Sequence, residues 1–258
     1  MNNVLALSSV VIKELCRRKD FYVLFVLTAL ITLMLGSVNF FNDDRIARFM
    51  KEACLLLIWI SSLVIAITTT ARQIPAEREN RTIFPLLAKP FSRGELVGGK
   101  FLGCWVASGI CLLVFYLFFI VVSGSREQVW QISNYLQAMW LHWVFLAVVI
   151  SMVLMGSIIF AAPSSNSTIC FVTVVGILLL GRPLNKVAVS LPEPSSTILS
   201  VVYFIIPHLE FYDLRDLIIH NLGLVPWGAW ALATLYGAAY TAFFLLGTWL
   251  LFRQKSLA

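Results

Sequence analysis

Charge is what this chain has least of. Only 12% of its 258 residues are Asp, Glu, Lys or Arg, and its mean hydropathy is +0.89. A soluble domain carries about 25% charged residues, so a soluble enzyme or binding module is excluded and an integral membrane protein is indicated. The charges fall between long apolar runs, and none lies deep inside one. That argues against a proton- or ion-coupled secondary transporter, which needs ionisable groups within the bilayer. It argues equally against an intramembrane protease, because no His, Ser or Asp pairing recurs at catalytic spacing in those runs.

Metal-binding and redox patterns are also missing. The three histidines, His142, His208 and His220, stand apart from one another. The five cysteines (Cys16, Cys54, Cys104, Cys111, Cys170) are scattered, with no C-x-x-C and no pair suited to an external disulfide. Cys104 and Cys111 are seven apart on a similar helix face. Thiolates there would suit Cu(I), but small residues packing between helices account for them better, and no metal site is expected. A secretory signal is absent too. "MNNVLALSSVVIKELCRRKD" puts its apolar part before its basic cluster, the reverse of a signal peptide.

What is present is a set of apolar runs of bilayer-crossing length, about 20 residues each. They cover 21–41, 53–70, 101–122, 140–162 and 227–252, with a shorter run extended to 164–181 by the N-cap candidates of "SSNST". Six spans put both termini on one side. The 19 Lys and Arg residues divide twelve to seven in favour of the side holding the termini and the 71–100 loop, which predicts that this side is cytoplasmic. In 1–20, Val4, Leu7, Val11 and Leu15 recur at helical spacing, with Ser8, Ser9, Lys13 and Glu14 off that line. The pattern predicts an amphipathic helix lying along the membrane surface, with a plain helical extension of the first span as the alternative. The segment 182–226 is external. Within it, 197–206 is too short to span and stops at Pro207, as a re-entrant or interfacial half-helix does. In "PHLEFYDLRDLIIHN" the polar residues His208, Glu210, Asp213 and Asp216 are spaced about a turn apart, and Leu214, Leu217 and Ile218 form the apolar side. A solvated outer helix face explains them more simply than a cation site.

"GELVGGKF" (94–101) resembles a phosphate loop: Gly94, Gly99 and Lys100 fit G-x-x-x-x-G-K, but Phe101 stands where Ser or Thr should hold Mg²⁺. No strand precedes it. Ser92 and Glu95 form an S-x-x-E capping box instead, so a helix starts at Ser92 and runs into the third span. Its Gly99, Gly103 and Ala107 continue as a small-residue stripe of the kind that lets membrane helices approach closely. Ala233 and Gly237 belong to a similar stripe on the last span. Lys100 is expected to snorkel to the headgroups.

The loop before this helix is dense in charge yet keeps Ile83, Leu86 and Leu87. Pro75 suits a helix's first turn, and Glu77 and Glu79 suit the positive helix end. Docking on a soluble partner and lying among headgroups fit these residues equally. The order of Glu77-Arg78-Glu79, Thr82, Leu86-Leu87, Pro90, Ser92-Arg93 and Gly99-Lys100 resembles the permease subunits of ABC-2-type ATP-binding-cassette transporters, most closely the branch around multicopper-enzyme maturation. Arg81 stands where members often have Gly, and Pro85 interrupts the approach to Leu86.

The resemblance implies an all-α, six-span membrane domain in a bacterial inner membrane with an N-terminal cytoplasmic helix and short external helices between spans five and six. It implies a coupling loop gripped by a separate cytoplasmic P-loop ATPase, with Glu77, Arg78, Glu79, Arg81, Thr82, Pro90 and Arg93 as contacts and Ile83, Leu86 and Leu87 as the apolar anchor. ATP and Mg²⁺ would be bound by that partner, leaving no cofactor and no catalytic residue in this chain. A second permease copy, membrane lipid and a periplasmic protein are the other expected partners, the last meeting His208, Glu210, Asp213 and Asp216; nucleic acid is not one. The alternatives are an ATP-independent transporter or lipid-handling protein, and a membrane scaffold.

Overall fold

A computed structural model of the chain describes residues 2–17, 19–37, 44–79, 92–127, 130–160 and 162–254. Every regular element among them is helical. In chain order they are α1 (Asn2–Arg17), α2 (Lys19–Ser37), α3 (Asp44–Ala71), α4 (Pro75–Glu79), α5 (Arg93–Glu127), α6 (Ile132–Ile159), α7 (Pro163–Ser190), α8 (Ser195–Ile205), a 3₁₀ turn (Leu209–Tyr212), α9 (Arg215–Ile219) and α10 (Trp227–Gln254). Five of them, α3, α5, α6, α7 and α10, are long and apolar enough to cross a bilayer. The 19-residue α2, about 28 Å at 1.5 Å per residue, is the sixth helix of the expected plan. The bent pair α8 and 3₁₀–α9, kinked by 42°, lies between the last two.

Inside a bilayer, lipid tails are as apolar as leucine, so helices associate through close packing and interhelical hydrogen bonds. The bundle shows both. Helix α6 is the centre, with Phe145, Leu146, Val149, Ile150 and Val153 fully enclosed, and it contacts α3, α5, α7 and α10. Thr28 of α2 hydrogen-bonds Ser61 of α3 at 3.1 Å. Trp105 of α5 and Trp143 of α6 stack with centroids 4.3 Å apart, and each indole N–H donates to the other's backbone carbonyl at 3.0 Å.

The structure changes four sequence expectations. First, the middle of α1's apolar stripe packs on another helix. Leu7 and Val11 are buried against the glycines of α5: a Cβ on Gly99 would lie 2.9 Å from that of Leu7, and one on Gly103 would lie 2.7 Å from that of Val11. Two local patterns that seemed independent are the two halves of one contact.

Second, Lys100 does not reach the headgroups. It is 5% exposed and points back to α4. Third, the "SSNST" cluster does not cap α7. The helix begins at Pro163 with extended Ala162 before it, and Asn166 turns inward to donate to the Val153 carbonyl at 3.2 Å and accept from Cys170 at 3.3 Å. Gly156 of α6 leaves the space for its amide. Fourth, the helix that carries the expected span, Pro163–Gly181, runs on beyond it through Pro183 to Ser190. Likewise α3 begins at Asp44, before the apolar run, and takes Lys51 into the fold, fully buried.

Candidate functional site

Two regions carry the expected functional residues, one at the termini end of the bundle and one at the opposite end. At the termini end, α3 runs into a tight turn (Gln73 N–H to Thr70 carbonyl, 3.1 Å; Ala76 N–H to Arg72 carbonyl, 3.0 Å), and Pro75 opens α4. Proline suits that position because its missing N–H would have no helical partner. Glu77 in the first turn reaches Lys100 of α5, with Oε1 2.5 Å from Nζ. The same ammonium donates to Gln73 Oε1 at 3.0 Å. Burial of a lysine requires such partners. The salt bridge ties α4 to α5 across the base of the loop.

The other foot of the loop is equally fixed. Ser92 and Glu95 make the capping box in both directions: the Ser92 N–H donates to Glu95 Oε2 at 2.8 Å, and the Glu95 N–H donates to Ser92 Oγ at 3.2 Å. One residue on, Arg93 donates to the carbonyls of Phe252 and Arg253 and lies over the Phe252 ring at 5.4 Å. Those carbonyls belong to the last turn of α10, where unpaired C=O groups and the negative helix end favour a cation. Of the residues expected to face a partner, Glu77 and Arg93 are thus engaged within the chain. Arg78 and Glu79 lie in α4, with side chains outside the described set. Arg81, Thr82, Ile83, Leu86, Leu87 and Pro90 lie outside the described residues.

At the opposite end, the segment from α8 to α9 returns into the bundle. The Ile205 carbonyl accepts from Tyr240 Oη at 3.2 Å, and Tyr240 is about 20 Å along α10 from its first residue. The His208 N–H donates to Tyr236 Oη at 3.1 Å, and Tyr212 Oη donates to the Ala233 carbonyl at 3.2 Å. Gly237 makes this approach possible, because a Cβ there would overlap Tyr212 and Val144. The segment leaves through Asn221, whose left-handed φ of 52° an asparagine tolerates and whose Oδ1 accepts from buried Lys51 at 3.2 Å. Gln137 then brackets the start of α10, exchanging both hydrogen bonds with the backbone of Val225.

The four polar residues singled out here do not converge. His208 Nδ1 is 3.6 Å from Glu210 Oε1, and Glu210 packs against Gly181 of α7. Asp213 instead forms a two-point pair with Arg215, 2.8 Å at both contacts, and Asp216 is exposed. Among the described residues no group of three or more His, Cys, Asp or Glu side chains is placed to hold a metal ion. The turn-spaced acids are drawn into different contacts.

Sequence reasoning missed a buried polar cluster beneath this segment. His142 is fully buried in α6. Its Nε2 is 2.9 Å from Ser62 Oγ of α3, its Nδ1 is 3.5 Å from Tyr116 Oη of α5, and its ring stacks on Trp59 at 4.9 Å. The Arg215 guanidinium sits 5.4 Å from the centre of the same Trp59 ring. Two long helices, α3 and α6, and the bent segment therefore meet at one indole, while α5 reaches the same histidine through Tyr116. The only sequence signal was a histidine within an apolar run, which by itself names no partner.

A family model described as "ABC-2 family transporter protein" matches residues 13–257. No curated protein matches the chain.

Proposed function

The chain belongs to the ABC-2 family of transporter proteins, and from that premise we propose that it converts ATP hydrolysis on a separate P-loop ATPase into movement of its own helices. As the multi-pass membrane component of an ABC-2-type transporter, it comes from a family whose members usually lack catalytic activity and generally pair with an ATPase. In this reading two copies and two ATPase subunits form the working unit in a bacterial inner membrane, with the termini and the 71–100 loop cytoplasmic and export as the direction. ATP and Mg²⁺ bind the partner. The re-entrant segment with His208, Glu210, Asp213 and Asp216 serves as the external gate or the contact for a periplasmic protein.

The observation that carries this reading is the double fixation of the loop. One foot is held by Glu77–Lys100–Gln73, the other by Arg93 on the last turn of α10. A segment fastened at both feet to α3, α5 and α10 passes a push to three helices at once. Since Glu77 and Arg93 are engaged internally, the contacts for the ATPase fall to Arg78, Glu79, Arg81, Thr82 and Pro90, with Ile83, Leu86 and Leu87 as the apolar anchor that dominates such interfaces. This reading expects an ATPase among the neighbouring reading frames, and the test is co-expression with it. The ATPase should co-purify, and Arg78→Glu with Arg81→Glu should release it. Retained binding and stimulated ATPase activity in that double variant overturns the contact assignment.

A further inference from the structure

A cavity of about 680 Å³ lies between α10 and the re-entrant segment. Phe211 and Leu214 form one wall, Ala229, Leu232 and Ala233 the other, and Leu141 of α6 lies beneath. The one polar side chain in the lining, Tyr236, already accepts from the His208 N–H. Nothing there can hold water, which needs two to four polar partners. The cavity is continuous with the face of α10 where Leu232 and Leu235 are 69% and 66% exposed, a face that the bilayer covers in a multi-pass membrane protein. It runs from Ala229 to Tyr236, about 10 Å along the helix. Its upper end lies beside Trp227 and Trp230, whose rings are in contact; tryptophans at helix ends mark the headgroup level.

Size and chemistry fit one occupant. A water takes about 30 Å³ in the liquid and a methylene is of similar size, so the volume holds roughly twenty methylenes, enough for the part of one acyl chain that lies along this stretch of α10. A chain already in the bilayer gives up no hydration to enter. Left empty, the lining forfeits its dispersion contacts. We infer that one acyl chain of a phospholipid fills this cavity, with its headgroup level with Trp227 and Trp230, and wedges the re-entrant segment at a set distance from α10. This rests on the membrane placement of the chain and not on its coupling to an ATPase.

The test uses the full chain reconstituted in vesicles of phosphatidylethanolamine and phosphatidylglycerol, with a phosphatidylglycerol carrying a diazirine in one acyl chain. Photolabelling should concentrate on peptides holding Phe211–Leu214 and Ala229–Tyr236. Filling the cavity from one wall with Ala229→Phe and Ala233→Phe should cut that labelling at least fivefold. Leu246→Phe, an exposed position on the same helix outside the lining, should leave it unchanged. If the double variant fails to fold by size exclusion, Leu214→Trp fills the cavity from the opposite wall and should give the same loss. The inference is overturned if filled variants label as the wild type does, if label is spread evenly along α10 past Leu246, or if these positions crosslink to a second copy of the chain in place of lipid.

Discussion

Lys100 and Glu77 meet at 2.5 Å, 23 positions apart in sequence, with the lysine almost wholly enclosed. This pair holds the short α4 to the first turns of α5, and Gln73 supplies the lysine's second partner. Removing one member of a buried pair leaves the other charge uncompensated. Glu77→Gln should therefore cost about 3 kcal/mol, read as a lower thermal midpoint in detergent. Glu77→Gln with Lys100→Gln should recover much of that loss. A double variant as unstable as the sum of both singles would show that the two do not act as a pair.

Arg93 distinguishes an internal strut from a partner contact. Its bonds to the Phe252 and Arg253 carbonyls and its place over the Phe252 ring predict that Arg93→Ala leaves the ATPase bound but lowers transport-linked ATPase activity several-fold. Lysine lacks the planar fork that serves two carbonyls and a ring together, so Arg93→Lys should not rescue it. Loss of the ATPase on co-purification would return Arg93 to the partner interface.

The two glycines at the α1 contact should behave unlike their neighbour. Gly103→Ala places a methyl 2.7 Å from Val11 Cβ and 3.1 Å from Ser8 Cα, one of them backbone. Overpacking of this kind costs about 1–3 kcal/mol. At Gly98 an added methyl meets nothing within 4 Å, and alanine is the better helix former by roughly 1 kcal/mol, so Gly98→Ala should be neutral or stabilising. Thermal melts of the two variants side by side, with proteolysis of residues 2–17 as a probe of α1 docking, decide it. Equal effects would remove the packing argument.

These contrasts show where the sequence was readable. Features set by spacing along one helix were legible: the set of long apolar helices, the Ser92–Glu95 box, the glycine stripe of α5 and the apolar stripe of α1. Their partners were not. An apolar stripe is the same whether lipid or another helix covers it, so the spacing in α1 could not show that Leu7 meets Gly99 and Val11 meets Gly103. A lysine at the end of a span reads as snorkelling until the turn at residues 72–74 brings Glu77 beside it. His142 looked solitary because Ser62 and Tyr116 lie 80 and 26 positions away.

Trp59 offers the sharpest test of how the bent segment between α7 and α10 is seated. Its ring stacks on His142 and faces the Arg215 guanidinium, which Asp213 orients through two 2.8 Å contacts. If Arg215 is held chiefly by the ring, then Trp59→Leu and Arg215→Gln should not add. A cation–π contact to a guanidinium that is still 28% exposed predicts a coupling of about 1 kcal/mol between them. Global melts can miss a local change, so the second readout is labelling of a cysteine at Phe211 by a membrane-impermeant maleimide, in a background where the native cysteines are replaced. Either single change should raise the labelling rate, and the double change should raise it little further. Because Asp213 belongs to the same segment as Arg215, additive effects would mean that the segment is seated by its bonds to Tyr236, Ala233 and Tyr240 of α10 and that Trp59 serves only His142 below it.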